Sequence, residues 1–246
     1  MKKIRLLLFP ILFFASCIQH SNSDSSNGNT SSGVPEKNYF PDEDEVYSVF
    51  YTKNLIPELR NVRPQKSDTS IQICIPAAFT LLENDSIDGL FIIDGKIISQ
   101  KINHHLGGGM SISKNKIHII HTDDGKILTD SYVNGISQLG QSFFQQIQLV
   151  RNDSALEFHK DQKLFQRRAV VIFDNPDVAI VESKNAITLQ EFADDLVKMH
   201  VKDAIYTDMG SYDEGWYRNP ENKRVITMGK NCSQTSQQSN WLIFRH

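Results

Sequence analysis

Between residues 165 and 211 the chain alternates apolar runs with short polar breaks, a pattern that predicts strand, strand, helix, strand. Phe165-Gln-Arg-Arg-Ala-Val-Val-Ile-Phe173 and Val178-Ala-Ile-Val-Glu182 are rich in β-branched residues. The break between them, Asp174-Asn175-Pro176-Asp177, supplies turn geometry, and its proline cannot continue a ladder, so the pair reads as a hairpin. Thr188 with Glu191 three residues on forms a capping box, in which each side chain satisfies an orphan amide at a helix N-terminus. Leu189, Phe192, Ala193, Leu196 and Met199 then recur at helical spacing, giving one apolar face that has to pack on another element. Ala204-Ile205-Tyr206 reads as a short strand that delivers Asp208 to its end, where Met209-Gly210-Ser211 turns the chain away.

Elsewhere the pattern favours strands. After the acidic Asp42-Glu43-Asp44-Glu45, the run Val46-Tyr-Ser-Val-Phe-Tyr51 marks the start of the ordered domain. Ile71-Gln-Ile-Cys-Ile75 alternates apolar and polar, and Pro76-Ala77-Ala78-Phe79 stops it with small residues that imply close approach of backbone or ligand. Gly89 to Ile93 and Lys96 to Ser99 flank Asp94-Gly95, a strong hairpin signal. Gly107-Gly108-Gly109 leads into two further short strands around Lys114-Asn115. The glycine triplet fits either a bulge or tight strand crossing, or a backbone cradle for phosphate without the lysine and helix of a Walker loop. Leu139, Phe143, Ile147 and Val150 predict a helix passing into a strand over 137–150, and Arg224 to Met228 and Asn240 to Phe244 read as strands around a Ser- and Gln-rich loop. The expected class is α+β, a single domain of mixed short strands with a few helices packed on the sheet.

Composition agrees with one domain: 246 residues, 39% apolar and 22% charged. The N-terminus adds a destination. Lys2, Lys3 and Arg5 precede an apolar run from Leu6 to Ala15, too short to span a bilayer and suited to a secretory signal. Phe14-Ala15-Ser16-Cys17 resembles a bacterial lipobox, which implies lipidation at Cys17 and a cell envelope location; the other reading is an ordinary cleaved signal. The division is then a signal over 1–16, a flexible Ser/Asn/Gly-rich tether over 17–40 and a folded domain over 41–246. Loss of the three signal cations takes the net charge from −3 to −6, which argues against nucleic acid as a partner. Cys74 and Cys232 lack metal-ligand spacing, and a disulfide between them and a buried thiol at Cys74 both stand. His118 and His121, three apart on a strand, point to opposite faces and make a poor ligand pair.

Three of these stretches, together with Ile75-Pro-Ala-Ala-Phe-Thr80, resemble the phosphodiester glycosidase family. They are Phe165-Gln-Arg-Arg-Ala-Val-Val-Ile, Thr188-Leu-Gln-Glu-Phe-Ala-Asp-Asp-Leu and Asp203-Ala-Ile-Tyr-Thr-Asp-Met-Gly. The resemblance covers roughly Ile71 to Phe244 and implies hydrolysis of a sugar 1-phosphodiester or related glycan phosphodiester. It makes Arg168 and Asp208 the retained catalytic pair, with Ala77, Phe79, Gly210 and Ser211 at the substrate. The chain departs from the family pattern at Pro76 in place of Asn, Ala77 in place of Gly, Ala169 in place of Thr and Met209 in place of Gly. Those changes fit either an altered substrate or lost chemistry, the latter leaving a noncatalytic glycan-binding or envelope-interaction lipoprotein.

The residue chemistry suits the pair. Arginine presents a planar fork matched to phosphoryl oxygens, and hydrolysis at an anomeric carbon needs a carboxyl group, usually with a second one. Asp213 and Glu214 are candidates for that second carboxylate, Trp216 and Tyr217 for stacking on a sugar or for core packing, and Arg218 for a further phosphate contact. Arg167 reads as an exposed neighbour. No cofactor is required, although Asp208, Asp213 and Glu214 together offer oxygen ligands to a divalent cation.

Overall fold

In the computed structural model the residues described are 41–158, 160–210, 212, 214–230 and 232–246. Strands β1 (Pro41–Glu43), β2 (Tyr47–Tyr51), β3 (Ile56–Arg60) and β4 (Ile71–Pro76) come first. The β5 (Phe91–Ile93) and β6 (Lys96–Ser99) hairpin follows, then β7 (Gly108–Ser113) paired with β8 (Lys116–His121). Asp94 and Gly95 both take positive φ, 47° and 80°, the type I′ geometry that an Asp-Gly turn favours. Helix α1 (Asp130–Gln138) precedes β9 (Ser142–Gln146), β10 (Gln148–Arg151) and β11 (Ser154–Ala155). The hairpin β12 (Arg168–Phe173) and β13 (Val178–Ser183), helix α2 (Leu189–Lys198) and β14 (Val201–Tyr206) occur in the order the apolar pattern predicts. Strands β15 (Gly215–Arg218), β16 (Val225–Met228) and β17 (Trp241–Arg245) close the chain.

The strands form three antiparallel sheets: seven strands in the order β1-β2-β13-β12-β14-β10-β11, five in the order β16-β15-β4-β17-β3, and five in the order β6-β5-β9-β7-β8. With two α-helices among the described residues, this is a mostly-β fold, and the α+β expectation is corrected. The stretch 137–150 shows why. Helix α1 ends at Gln138 and Gly140 takes φ 63°, so Phe143 and Ile147 belong to extended chain instead. All five residues of β9 are buried, so apolar residues occupy both faces and imitate a helical period.

One large core draws on all three sheets, with Val170, Ile180 and Ile205 from the first, Ile73, Ile75, Leu242 and Phe244 from the second, and Phe91, Met110 and Phe144 from the third. The other face of the seven-stranded sheet, through Ala169, Val171, Ala179 and Ala204, is covered by Leu189, Phe192, Ala193 and Leu196 of α2. Each of the larger apolar side chains on that helix contributes about 1.5–3 kcal/mol by leaving water. The capping box closes as predicted: the Glu191 amide donates to Thr188 Oγ1 at 3.1 Å, and the Thr188 amide to Glu191 Oε2 at 2.8 Å. The glycine triplet serves close strand packing, since a Cβ on Gly109 would lie 2.3 Å from Phe143 Cζ. None of the helices of the described residues is long and apolar enough to cross a membrane.

Candidate functional site

Alternation along β12 sends Val170 and Ile172 to the main core and Ala169 and Val171 to the α2 side, so Arg168 points inward and is completely buried. A guanidinium there needs an acid, and the hairpin register provides one: Glu182 of β13 lies directly across from Arg168. Arg168 Nε and Nη2 donate to Glu182 Oε2 at 2.6 and 2.5 Å. The second oxygen, Oε1, accepts from Gln166 Nε2 at 3.0 Å and from the Gly229 amide at 3.2 Å. Gly215 of β15 presses on this pair from the neighbouring sheet, where a Cβ would come 3.4 Å from Arg168 Cζ. A buried ion pair of this kind holds only because its remaining lone pairs are satisfied.

Strand β14 pairs with β12 and carries the chain to the same end. The Thr207 amide donates to the Arg168 carbonyl at 3.1 Å, and the next residue is Asp208, 3% exposed. The Asp208 amide donates to the Ala77 carbonyl at 2.9 Å, and the Thr80 amide donates back to Asp208 Oδ2 at 3.0 Å. This links β14 to the turn after β4. The buried Asn240 holds that turn from the far end of the chain, accepting from the Ala78 amide at 2.7 Å and donating to the Ala78 carbonyl at 2.9 Å. Burial pushes the Asp208 carboxyl well above its ordinary range, against the amides of Thr80 and Met209, the charge of Arg168 and the Gln238 side chain, which pull it down. The outcome is a buried carboxyl, raised by desolvation, close to an Arg–Glu ion pair.

The remaining candidates divide. Ala77 is fully buried and acts through its carbonyl, while Phe79 is half-buried, its ring edge-on to Tyr206 at 6.1 Å. Gly210, at φ 90°, opens onto a cavity of about 290 Å³ shared with Phe165, Gln166 and Lys230. Glu214 pairs with Lys66 at 2.7 Å and Arg63 at 3.3 Å. Trp216 packs with Cys74, Trp241 and Ile243 on the outer side of the five-stranded sheet, whereas Tyr217 turns inward against Phe50 at 5.1 Å. Arg218 lies over Trp216 and donates to the carbonyls of Ile71, Lys66, Asp68 and Lys223. Ser211, Asp213 and Cys17 lie outside the described residues.

Arg167 departs from its expected exposure: it is buried, stacked between Phe165 and Tyr206 at 5.3 and 5.8 Å, and bonded to the Ile187 and Lys163 carbonyls. Cys74 is a buried free thiol whose ionisation is pushed up by desolvation. Among the described residues no group of three acidic, histidine or cysteine side chains is placed to hold a metal ion. Sequence reasoning missed Glu182 and Asn240. The first had a signal, because a hairpin centred on Asn175 sets residue 182 opposite residue 168. The second had none, since Asn240 and Ala78 are 162 residues apart.

No family model and no curated protein matches this chain by sequence. Solved structures do match by fold. The catalytic domain of zebrafish N-acetylglucosamine-1-phosphodiester alpha-N-acetylglucosaminidase, auto-inhibited by its pro-peptide, is similar with a TM-score of 0.54 at 11% identity, covering 85% of this chain and 86% of that one. A hypothetical protein from Synechocystis is similar with a TM-score of 0.53 at 11% identity, covering 81% of this chain and 59% of that one. At these identities the likeness is one of fold, and it is distant.

Proposed function

We propose that this protein is a cell-envelope hydrolase that cleaves a sugar 1-phosphodiester or a related glycan phosphodiester. The observation that carries the reading is the Asp208 carboxyl, buried beside Arg168 and held by the Thr80 amide, with its pKa pushed up by burial. The fold likeness to a phosphodiester glycosidase domain supports it. In this reading the bond between the anomeric carbon and the phosphate oxygen breaks, Asp208 donates its proton to the departing oxygen, and water adds its hydroxyl to the carbon while its other proton restores the Asp208 carboxyl. A free sugar and a phosphomonoester result. Arg168 offsets the phosphodiester charge while Glu182 holds its guanidinium in place. A carboxyl raised by burial is suited to the acid role at neutral pH. Envelope location and attachment through a lipid on Cys17 belong to the same proposal.

The test is release of free sugar from a panel of sugar 1-phosphodiesters by the whole chain, with Asp208→Asn and Arg168→Ala beside it. Loss of about 100-fold or more in turnover in both variants is the expected outcome. A second reading, a noncatalytic glycan-binding lipoprotein on the same scaffold, is favoured by the complete burial of Arg168 and by Pro76 at the position where the family carries Asn. Binding of a panel member without turnover, unchanged in Asp208→Asn, would give the protein to that reading.

A further inference from the structure

At the opposite end of the β12–β13 hairpin from Arg168 is a second and larger cavity, of about 520 Å³. It lies where the main core reaches the surface, and all three sheets contribute to it. Ile172 and Val178 come from the seven-stranded sheet, Pro57 and Phe244 from one five-stranded sheet, and Ile117 from the other, with Leu55 on the β2–β3 loop. Its walls are therefore aliphatic and aromatic. A concave apolar mouth of this size is in the range that holds one small ligand.

The rim has a different character. Lys53, Lys116 and His118 stand around the opening, all exposed. Neither lysine belongs to an ion pair among the described residues. The acid on the same rim, Asp177, is engaged in its own turn, accepting from Asn175 Nδ2 at 3.0 Å. Lysines with no ion pair among the described residues, around an apolar hollow on a chain of net charge −3, make this opening complementary to an apolar body with an anionic end.

We propose that the cavity binds a single-chain anionic amphiphile of the fatty-acid type, the acyl chain against Leu55, Ile117, Ile172 and Phe244 and the carboxylate between Lys53 and Lys116. The site is independent of the Asp208 chemistry and sits at the other end of the strands that carry it. Titrating the whole chain with cis-parinaric acid, a fluorescent fatty acid, and with its methyl ester tests the assignment. Saturable binding of the acid at one per chain is expected. Lys53→Glu with Lys116→Glu, both at exposed positions, is expected to weaken the acid at least tenfold and leave the ester unchanged, and Val178→Trp, which fills the cavity, to remove both. Absence of saturable binding overturns the proposal. So does binding of the acid that is equal in the parent and the double lysine variant, because the probe is then held elsewhere on the chain.

Discussion

Strand β15 separates two buried arginines. Gly215 faces inward and admits the guanidinium of Arg168, whereas Arg218, three residues on, faces outward over Trp216. Arg218 spends its donors on carbonyls of the loop before β4, of the first residue of β4 and of the β15–β16 turn, groups that carry no net charge and do not titrate. Arg168 is bonded to a carboxylate and acts electrostatically on another carboxyl. The first arrangement ties loops to a sheet. The second keeps an ion pair and a carboxyl raised by burial together in a desolvated place.

The comparison can be broken most forcefully at Glu182. Glu182→Gln removes the carboxylate charge that Arg168 Nε and Nη2 bond in the interior, and a loss of about 3–5 kcal/mol, or about 10 °C in melting temperature, is expected. A variant that melts with the parent would show that the pair does not carry the interior as described. Next comes Arg218→Met, which keeps the stem over Trp216 and removes the bonds to four carbonyls. Its expected cost is about 2–3 kcal/mol in denaturant unfolding, with any sugar-releasing turnover kept in the folded fraction.

Asp208→Asn has a smaller effect on stability but a signed one. The native carboxyl holds its proton above the unfolded value of 3.8, so its stabilising contribution is complete below that value and declines as pH rises through the native pKa. The asparagine variant keeps an acceptor for the Thr80 amide and has no such decline. Its melting temperature relative to the parent is expected to rise by a few degrees between acid and neutral pH; parallel curves would place Asp208 in contact with solvent. Smallest is Glu214→Gln. Its partners Arg63 and Lys66 are half exposed, so about 1 kcal/mol or less is at stake, and turnover is expected to stay at the parent value. A turnover collapse there would return Glu214 to the site.

Much of the 165–208 stretch was legible because its signals are local. Turn residues 174–177, the Thr188–Glu191 box and the apolar face of α2 act within a few positions of themselves, and each element forms where its pattern falls. The reading of 137–150 failed for a reason of the same kind. A strand buried on both faces has no alternation left to show, and its apolar residues then fit a helical period as well as an extended one. Arg167 and Arg168 illustrate the limit at single-residue scale. Adjacent and identical in type, they go to opposite sides of one sheet, and both are buried, because the elements on either side happen to supply acceptors.

Short-range chemistry in the chain therefore accounts for the hairpins, the helix cap and the position of Asp208 at the end of a strand. The number of sheets, the packing of Trp216 with Cys74 and Trp241 and of Arg218 over Trp216, and the meeting of Asp208 with the 77–80 turn were decided by tertiary structure. So was the upward push on the Asp208 carboxyl. A carboxyl is desolvated by everything around it at once, here by β4, β12, β14 and the residues before β17, and contacts that span more than a hundred residues leave no periodicity for a sequence to display.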